Sequence, residues 1–244
     1  PFKVIIFSDS RGRNLAKYLS QTEASDIEIY YEVHRTNGTT LEAIHKKIER
    51  SARRYTWDLC IILAGICNFT QRIATRNHRY LQYTVSKLEQ TKDIIDQILD
   101  PNDRKIHICT ITPAALAKYS NYRKEDPAID QEQNCLLQDI EATNQHLINK
   151  NIIRDFPTIH LARLSYSLSL KKQGPKRKRI TKFDPEELPH GVHPSKKLEQ
   201  EWAEYIAQQA GKIIKKNLAK QNEDTEEESD NEGATGDPWN FKRQ

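Results

Sequence analysis

The chain has 244 residues, 36% of them hydrophobic and 30% charged, and its formal net charge at pH 7 is +4. This length suits one sizeable α/β domain, and the four cysteines have neither zinc-site nor disulfide-framework spacing. The sequence contains no run of about 18 apolar residues and no signal-peptide pattern at its N-terminus. We therefore expect neither membrane insertion nor secretion, and predict a soluble intracellular protein of the cytoplasm or nucleus.

Strand-like runs alternate with helical patterns along the chain. The runs are residues 3–7, 27–33, 58–64, 105–111 and 158–163, and the helical patterns cover about 12–22, 40–53, 78–99, 128–150 and 195–217. Such alternation predicts an α/β fold in which a five-stranded parallel sheet carries helices on both faces. In the last helix, Ser195 is predicted to be the N-cap, and Trp202 lies on an apolar stripe that should face the core.

Two segments of strong charge lie outside this alternation. Residues 164–192 lack clear periodicity and are predicted to form a long exposed loop, with six cations: Lys171, Lys172, Lys176, Arg177, Lys178 and Arg179. Residues 220–244 are predicted to be an acidic disordered tail after a domain of residues 1–219. Without residues 221–244, the chain has 36 basic and 26 acidic groups. A basic body attracts polyanions such as nucleic acid, and an acidic tail could fold back to compete with them.

Side chains with chemical potential follow the predicted strands. Ser10 lies where the first strand meets a helix, residues 36–40 follow the second strand, residues 65–68 follow the third, and His193 follows the long loop. Ligands of open parallel sheets bind at the carboxyl ends of the strands. We therefore expect these segments to meet at one edge, where a histidine could accept the proton of a serine nucleophile.

These four segments, in this order, resemble the SGNH or GDSL-like hydrolases over about residues 3–218. The phrases SDSRGRNL, LAGICNFT and HGVHPS also look like the subgroup of that family carried by animal mobile elements. The resemblance implies a flavodoxin-like three-layer sandwich and esterase or acetylhydrolase activity. It also implies that Ser10 is the nucleophile and first oxyanion donor, that Gly38 is a second donor, and that His193 is the general base.

Two positions depart from the family's pattern. Alignment on Gly65 puts Cys67 where the oxyanion asparagine is expected, with Asn68 one place later, and His190 occupies the position of the triad aspartate. A one-residue bulge could still aim Asn68 into the oxyanion hole, so we keep it in the predicted site. Cys67 is a less favoured alternative nucleophile.

The missing aspartate leaves two alternatives for His193. A carboxylate from the preceding loop could orient its ring, the candidates being Asp184, Glu186 and Glu187. Alternatively, Ser10 and His193 act as a dyad and His190 only lines the cleft. Loss of a triad aspartate costs about 10⁴-fold in kcat in a well-studied protease, so either arrangement predicts weak activity.

We therefore expect a weak SGNH-type serine esterase that uses no metal or cofactor, because the sequence lacks a ligand cluster and both Gly-rich nucleotide motifs. Its partner would be an ester, and the neighbouring basic loop favours an anionic one. The alternative is a catalytically degenerate domain of the same fold that binds nucleic acid or protein. We expect no membrane partner.

Overall fold

The computed structural model describes residues 1–22, 26–70, 84–100, 103, 105–123, 130–173 and 176–232. Within these ranges only the backbone is described for residues 84–86, 123, 167–173, 176–182 and 223–232.

The order of elements in the described ranges follows the predicted alternation. The strands are β1 (Phe2–Ser8), β2 (Ile29–Arg35), β3 (Leu59–Leu63), β4 (Ile106–Ile108), β5 (Tyr166–Gln173) and β6 (Lys176–Phe183). The helices are α1 (Leu15–Leu19), α2 (Leu41–Ala52), α3 (Ile66–Thr70), α4 (Thr84–Ile98), α5 (Leu116–Arg123), α6 (Asp130–Ile153) and α7 (Lys196–Glu232). Sequence analysis missed α3 and α5, which are too short to show a helical period.

The main sheet has four strands in the order β2-β1-β3-β4, and all of its pairs are parallel. This confirms the predicted three-layer α/β fold, but the prediction of five strands is wrong. The expected fifth strand makes one bridge, between Ile159 and Cys109, and then turns into a 3-10 helix at Leu161. The backbone curls because the N–H of Leu161 donates to the Ile159 carbonyl at 2.9 Å, and that of Ala162 donates to Oγ1 of Thr110 at 2.9 Å.

Apolar side chains on opposite faces of the sheet pack against different helices. Alternate residues of β1 face α1 and α7 on one side and α2, α4 and α6 on the other. Trp202 is fully buried between the sheet and α1, as its helical stripe predicts. A third cluster at the carboxyl edge joins α3, α5, α6 and Val192. The loops at that edge therefore pack on buried apolar side chains.

The region predicted to be a long loop contains an antiparallel hairpin instead. Strands β5 and β6 pair from Tyr166–Phe183 to Gln173–Lys176. The loop prediction over residues 164–192 is therefore wrong for these strands. A hairpin ladder consists of backbone hydrogen bonds, so a run of cations can form one without an apolar period. Residues 174 and 175 lie outside the described ranges.

Helix α7 is longer than predicted. It was expected to end near residue 217, but it continues to Glu232 and so includes part of the segment expected to be a disordered tail. Glutamate is a good helix former, which lets the helix continue past its apolar stripe. Residues 233–244 lie outside the described ranges. None of the described helices is both long and apolar enough to cross a membrane.

Candidate active site

Ser10 begins a turn at the carboxyl end of β1. The strand ends at Ser8, and Asp9 then caps a 3-10 helix of residues 10–12 by accepting a hydrogen bond from the Arg11 N–H at 2.9 Å. The Asp9 N–H donates to the Leu63 carbonyl of β3 at 3.1 Å. The nucleophile turn, defined as residues 8–12, is therefore joined to the middle of the sheet.

A buried ion pair fixes this turn. Asp9 and Arg11 are 0% and 1% exposed, and Nε of Arg11 lies 3.0 Å from each Asp9 carboxylate oxygen. The guanidinium also donates to the Thr112 carbonyl at 3.3 Å and to the Thr112 hydroxyl. Sequence analysis missed Arg11 because an arginine in a polar turn is usually exposed. These contacts of Arg11 with Thr112 join the turn to the segment that follows β4.

His193 is the side chain that meets Ser10, the predicted nucleophile. Its Nε2 lies 3.1 Å from Oγ of Ser10, so two residues 183 positions apart come within hydrogen-bond distance. Burial lowers the pKa of His193 below its usual 6.5, and the positive charge of His190 lowers this pKa further. The neutral imidazole therefore predominates at neutral pH, in the form that can accept a proton from Ser10.

The histidine turn, defined as residues 188–195, is held mainly through its backbone. Gly191 has φ +77° and lies against α5, where a Cβ would come within 2.3 Å of the Tyr119 nitrogen. Its carbonyl accepts the Ala115 N–H at 2.7 Å. At the end of the turn, Ser195 Oγ accepts the Leu198 N–H at 3.1 Å, so it caps α7 as predicted. Glycine is required at position 191 by both the positive φ and the close approach.

A further contact links the two turns. Nδ2 of Asn14, which follows the nucleophile turn, donates at 2.8 Å to the carboxylate of Glu199 in the first turn of α7. The backbone N–H of Asn14 donates to the same carboxylate. Glu199 is only 3% exposed. Sequence analysis missed this role, because a glutamate in the first turn of a helix is already favoured by the helix dipole.

No carboxylate among the described side chains contacts His193. Asp184 accepts the Glu186 N–H at 3.0 Å, Glu186 pairs with Lys118 at 2.9 Å, and Glu187 accepts the Ser195 hydroxyl at 2.6 Å. Each predicted candidate for the orienting acid is therefore bound elsewhere. The described part of the site presents a Ser10–His193 dyad.

An aromatic cluster occupies the place of the missing acid. The His190 ring lies 6.2 Å from that of His193 and 4.7 Å from the ring of Tyr122 on α5. Tyr122 also meets His193 edge-on at 6.3 Å, although it is 54% exposed. Sequence analysis did not single out Tyr122, since the weak pattern of α5 gave no reason to place it at the strand ends.

The two predicted oxyanion donors lie in different settings. Gly38 is in the loop after β2 with φ +64°, and this loop is joined to β1 by the Thr36 N–H, which donates to the Ser8 carbonyl at 2.8 Å. Asn68 faces the start of α2: its Oδ1 accepts the Leu41 N–H at 3.0 Å, and its Nδ2 donates to Glu42 at 3.0 Å. Both ends of the Asn68 amide are thus engaged by α2.

Cys67 is half-buried at the start of α3. Burial raises the pKa of its thiol to about 11, and the negative charge of Asp9 adds to the effect. The thiol is therefore protonated at neutral pH. This state does not suit a nucleophile, because the thiolate is the reactive form.

The remaining predicted residues are the cations of the β5–β6 hairpin. Backbone register pairs Lys171 with Lys178 and Lys172 with Arg177, and places Lys176 and Arg179 on the same hairpin; their side chains are outside the described part. A cavity of about 1020 Å³ between α5, α6 and the hairpin base does not include Ser10 or His193 in its lining. Within the described ranges, no group of three or more histidine, cysteine or carboxylate side chains forms a metal-binding cluster.

The architecture matches solved lipases and esterases. A lipase/acylhydrolase from Enterococcus faecalis aligns over 88% of this chain and 97% of its own, with 16% identity and a TM-score of 0.55. A GDSL-like lipase from Bacteroides thetaiotaomicron aligns over 88% of both chains, with 13% identity and a TM-score of 0.51. The chain has the fold of the GDSL-like acylhydrolases.

A third similar structure is a mutant acetyl-xylooligosaccharide esterase from Geobacillus. It aligns over 86% of this chain and 94% of its own, with 12% identity and a TM-score of 0.54. No protein-family model and no curated protein matches the chain. The similarity is therefore one of fold.

Proposed function

We propose that this protein is a serine ester hydrolase of the SGNH type, with Ser10 as nucleophile and His193 as general base. The observation that carries the proposal is the 3.1 Å contact between Ser10 Oγ and His193 Nε2 at the carboxyl edge of the sheet. The shared fold of solved esterases supports it. The lowered pKa of His193 also supports it, because the base must be neutral to act.

The reaction follows from this geometry. Ser10 Oγ attacks the ester carbonyl carbon while its proton passes to Nε2 of His193, which then protonates the leaving alcohol. In the second half, water attacks the acyl carbon while His193 accepts its proton, and His193 then returns a proton to Ser10 Oγ as the acid product leaves. Ser10 begins a 3-10 helix, and the first N–H groups of a helix have no acceptor inside it. We propose the Ser10 N–H as one oxyanion donor and the Gly38 N–H as a second.

Activity should be weak because nothing in the described part of the site orients the imidazole through a carboxylate. In a well-studied protease, replacing that aspartate by asparagine lowers kcat about 10⁴-fold, although the remaining groups stay in place. The Ser10–His193 dyad is expected to operate in a comparable range. Short activated esters should therefore be turned over above background, but slowly.

A fluorophosphonate probe tests the proposal directly. We expect labelling of Ser10, loss of both labelling and ester turnover in Ser10→Ala, and strong reduction in His193→Gln. Ser20→Ala is the matched control, since Ser20 is an exposed serine outside the site and should leave both unchanged. Labelling that persists in Ser10→Ala would contradict the assignment of the nucleophile.

We propose nucleic-acid binding by the β5–β6 hairpin as a second function, either beside catalysis or in place of it. Register places Lys171 opposite Lys178 and Lys172 opposite Arg177, so the cations are paired across a two-stranded ribbon. A ribbon of this kind fits the major groove of DNA, and its cations would neutralise backbone phosphates. We also propose, on the motif resemblance alone, that the chain belongs to the mobile-element subgroup of SGNH proteins.

Salt dependence tests the hairpin. If six cations each displace a counterion, the slope of log K against log salt should be about −4 for single strands and about −5 for duplex. Replacing Arg177 and Arg179 with glutamine should make the slope less negative by about two. Replacing two exposed arginines of the α2 end, Arg53 and Arg54, is the charge-matched control. An equal loss in both variants would contradict a hairpin site.

The subgroup assignment has a separate test. A coding sequence that belongs to a mobile element should be present in many dispersed copies in its source genome. A single-copy locus would contradict the assignment without affecting either proposed activity.

A further inference from the structure

Positive charge borders the dyad on the nucleophile side. Arg13 follows the 3-10 helix of Ser10 directly, with helical backbone at φ −59°, and it is exposed. No described carboxylate lies within ion-pair distance of it. Residues three apart in a 3-10 turn lie on the same side of it, so Arg13 lies next to Ser10 at the surface of the nucleophile turn. Its charge also contributes to the lowered pKa of His193. Arg13 is thus a solvent-exposed cation beside Ser10.

A second basic group borders the dyad on the other side. His190 is exposed, its ring lies 6.2 Å from that of His193, and the tilted ring of Tyr122 lies 4.7 Å from it. His190 also acts on His193 as a positive neighbour that lowers its pKa. Arg13 and His190 therefore both lie close to the Ser10–His193 dyad.

The described acids near this edge are engaged by other groups. Asp9 pairs with buried Arg11 at 2.9 Å, although its charge still raises the pKa of His193, and Glu199 accepts hydrogen bonds from Asn14. The acids of the loop before the histidine turn are engaged by a backbone cap, Lys118 and Ser195, as described above. An imidazolium at position 193 would thus form without a described carboxylate in contact with its ring, the group that usually stabilises it.

We propose that Arg13 and His190 form a receptor for an oxyanion on the substrate, so that the preferred ester carries a carboxylate or phosphate beside its scissile bond. This inference rests on the proposed esterase function. Arginine presents paired donors that match carboxylate and phosphate oxygens. A bound oxyanion would also supply the negative charge that the site lacks beside His193. Tyr122 adds a flat apolar wall on which an aromatic part of the substrate can pack.

A set of three acetate esters separates charge from reactivity. The neutral ester is methyl 4-acetoxy-3-nitrobenzoate, and the anionic ones are 4-acetoxy-3-nitrobenzoate and 4-acetoxy-3-nitrophenyl phosphate. All three release a nitrophenol, and each kcat/KM is divided by the rate of hydroxide hydrolysis of the same ester. We expect the corrected anionic-to-neutral ratio to exceed one. The larger of the two anionic ratios identifies carboxylate or phosphate as the preferred oxyanion.

Two variants assign the receptor. In Arg13→Gln the ratio should fall about threefold to fivefold, the size of a solvent-exposed ion pair. Arg53→Gln removes an exposed arginine at the end of α2, at the opposite edge of the sheet, and should leave the ratio unchanged. His190→Gln removes the second group of the receptor and should also lower the ratio. An unchanged ratio in both Arg13→Gln and His190→Gln would overturn the proposal.

Binding without catalysis keeps this inference distinct from the proposed function. Ser10→Ala is titrated with the same three esters while the ring protons of His190 and His193 are followed by NMR. Shifts with the anionic esters that are lost in Ser10→Ala/Arg13→Gln would support the receptor even if the wild type hydrolyses nothing, and the hydrolase proposal alone would then fail. Equal binding of neutral and anionic esters would overturn the receptor even if all three are hydrolysed.

Discussion

The nucleophile turn and the histidine turn meet at one hydrogen bond, but they are held in different ways. Asp9 and Arg11 fix the first through a buried ion pair with less than 2% exposure of either side chain. The second is fixed by backbone contacts at Gly191 and by the cap at Ser195. Among the described residues, its two imidazoles contact aromatic rings and Ser10.

This difference separates the position of the base from its orientation. Backbone contacts bring His193 to within 3.1 Å of Ser10, but no described carboxylate selects the tautomer that leaves Nε2 free to accept a proton. The nucleophile turn has the opposite character, since its charges compensate each other in a buried setting. The turn that holds Ser10 thus has its charges paired, whereas His193 lacks a described carboxylate that would orient its ring and stabilise its charged form.

The largest expected effect comes from breaking the ion pair of the nucleophile turn. Arg11→Met leaves Asp9 buried without its partner and should lower the free energy of unfolding by about 3–5 kcal/mol. Asp9→Asn/Arg11→Met removes both charges and should recover part of that loss. Urea denaturation measures both variants, with Arg53→Met expected within about 0.5 kcal/mol of the wild type. Equal stability of Arg11→Met and Arg53→Met would contradict the stated role of the pair.

The histidine turn should respond in activity rather than in stability. His190→Asp places a carboxylate three residues before His193, where it can orient the ring and stabilise the imidazolium. We expect kcat to rise at least tenfold, which is about 1.4 kcal/mol in barrier height. His190→Asn is the uncharged control. If the aspartate variant gains nothing over the asparagine variant, the dyad is not limited by the missing acid.

Asn68 tests whether the third segment is structural or catalytic. Its contacts with Leu41 and Glu42 resemble those of a helix cap, so Asn68→Ala should cost about 1 kcal/mol in stability. An oxyanion donor would instead show a loss of about 10² to 10³ in kcat. We expect the stability effect and less than a tenfold loss in kcat. Cys67→Asn should raise kcat only if the oxyanion hole lacks a side-chain donor.

The smallest expected effect is a shift in pH dependence. If His193 is the general base, as proposed, it must act in its neutral form. Then kcat/KM should fall as pH decreases through its pKa, which burial and then His190 place below 6.5. His190→Gln removes the positive neighbour and should move this acid limb to higher pH. Stability has the same sign: the unfolded chain binds more protons below 6.5, so this group favours unfolding as pH falls. A limb unchanged in His190→Gln would contradict the electrostatic coupling.

The alternation of strands and helices and the meeting of Ser10 with His193 were within reach of the sequence. Buried strands such as β3 give strong apolar runs, and the carboxyl edge of a parallel sheet collects whatever follows them. The absence of the fifth strand could not be predicted. Residues 158–163 have a strand pattern, and their backbone is diverted by tertiary contacts at Thr110. The β5–β6 hairpin was missed for a related reason, since its backbone pairing leaves no apolar period.

Within the site, the missed residues are those whose role depends on a distant partner. Arg11 contacts Thr112, Glu199 contacts Asn14, and Tyr122 contacts His190, and none of these pairs is local in the chain. The sequence also offered Asp184 as an orienting acid, because its nearness in sequence to His193 cannot show that its carboxylate caps a 3-10 turn instead.

The direction of α7 determines how the protein could be tethered. The helix begins beside the histidine turn, and its 37 residues make it about 55 Å long. Lys216 and Lys220 pair with Asp155, which lies before the Ile159 bridge and thus at the opposite edge of the sheet. Phe2, at the start of β1, lies at that edge too. A molecule immobilised on a surface through Phe2, or through the part of α7 near Lys216 and Lys220, would present the Ser10–His193 edge outward.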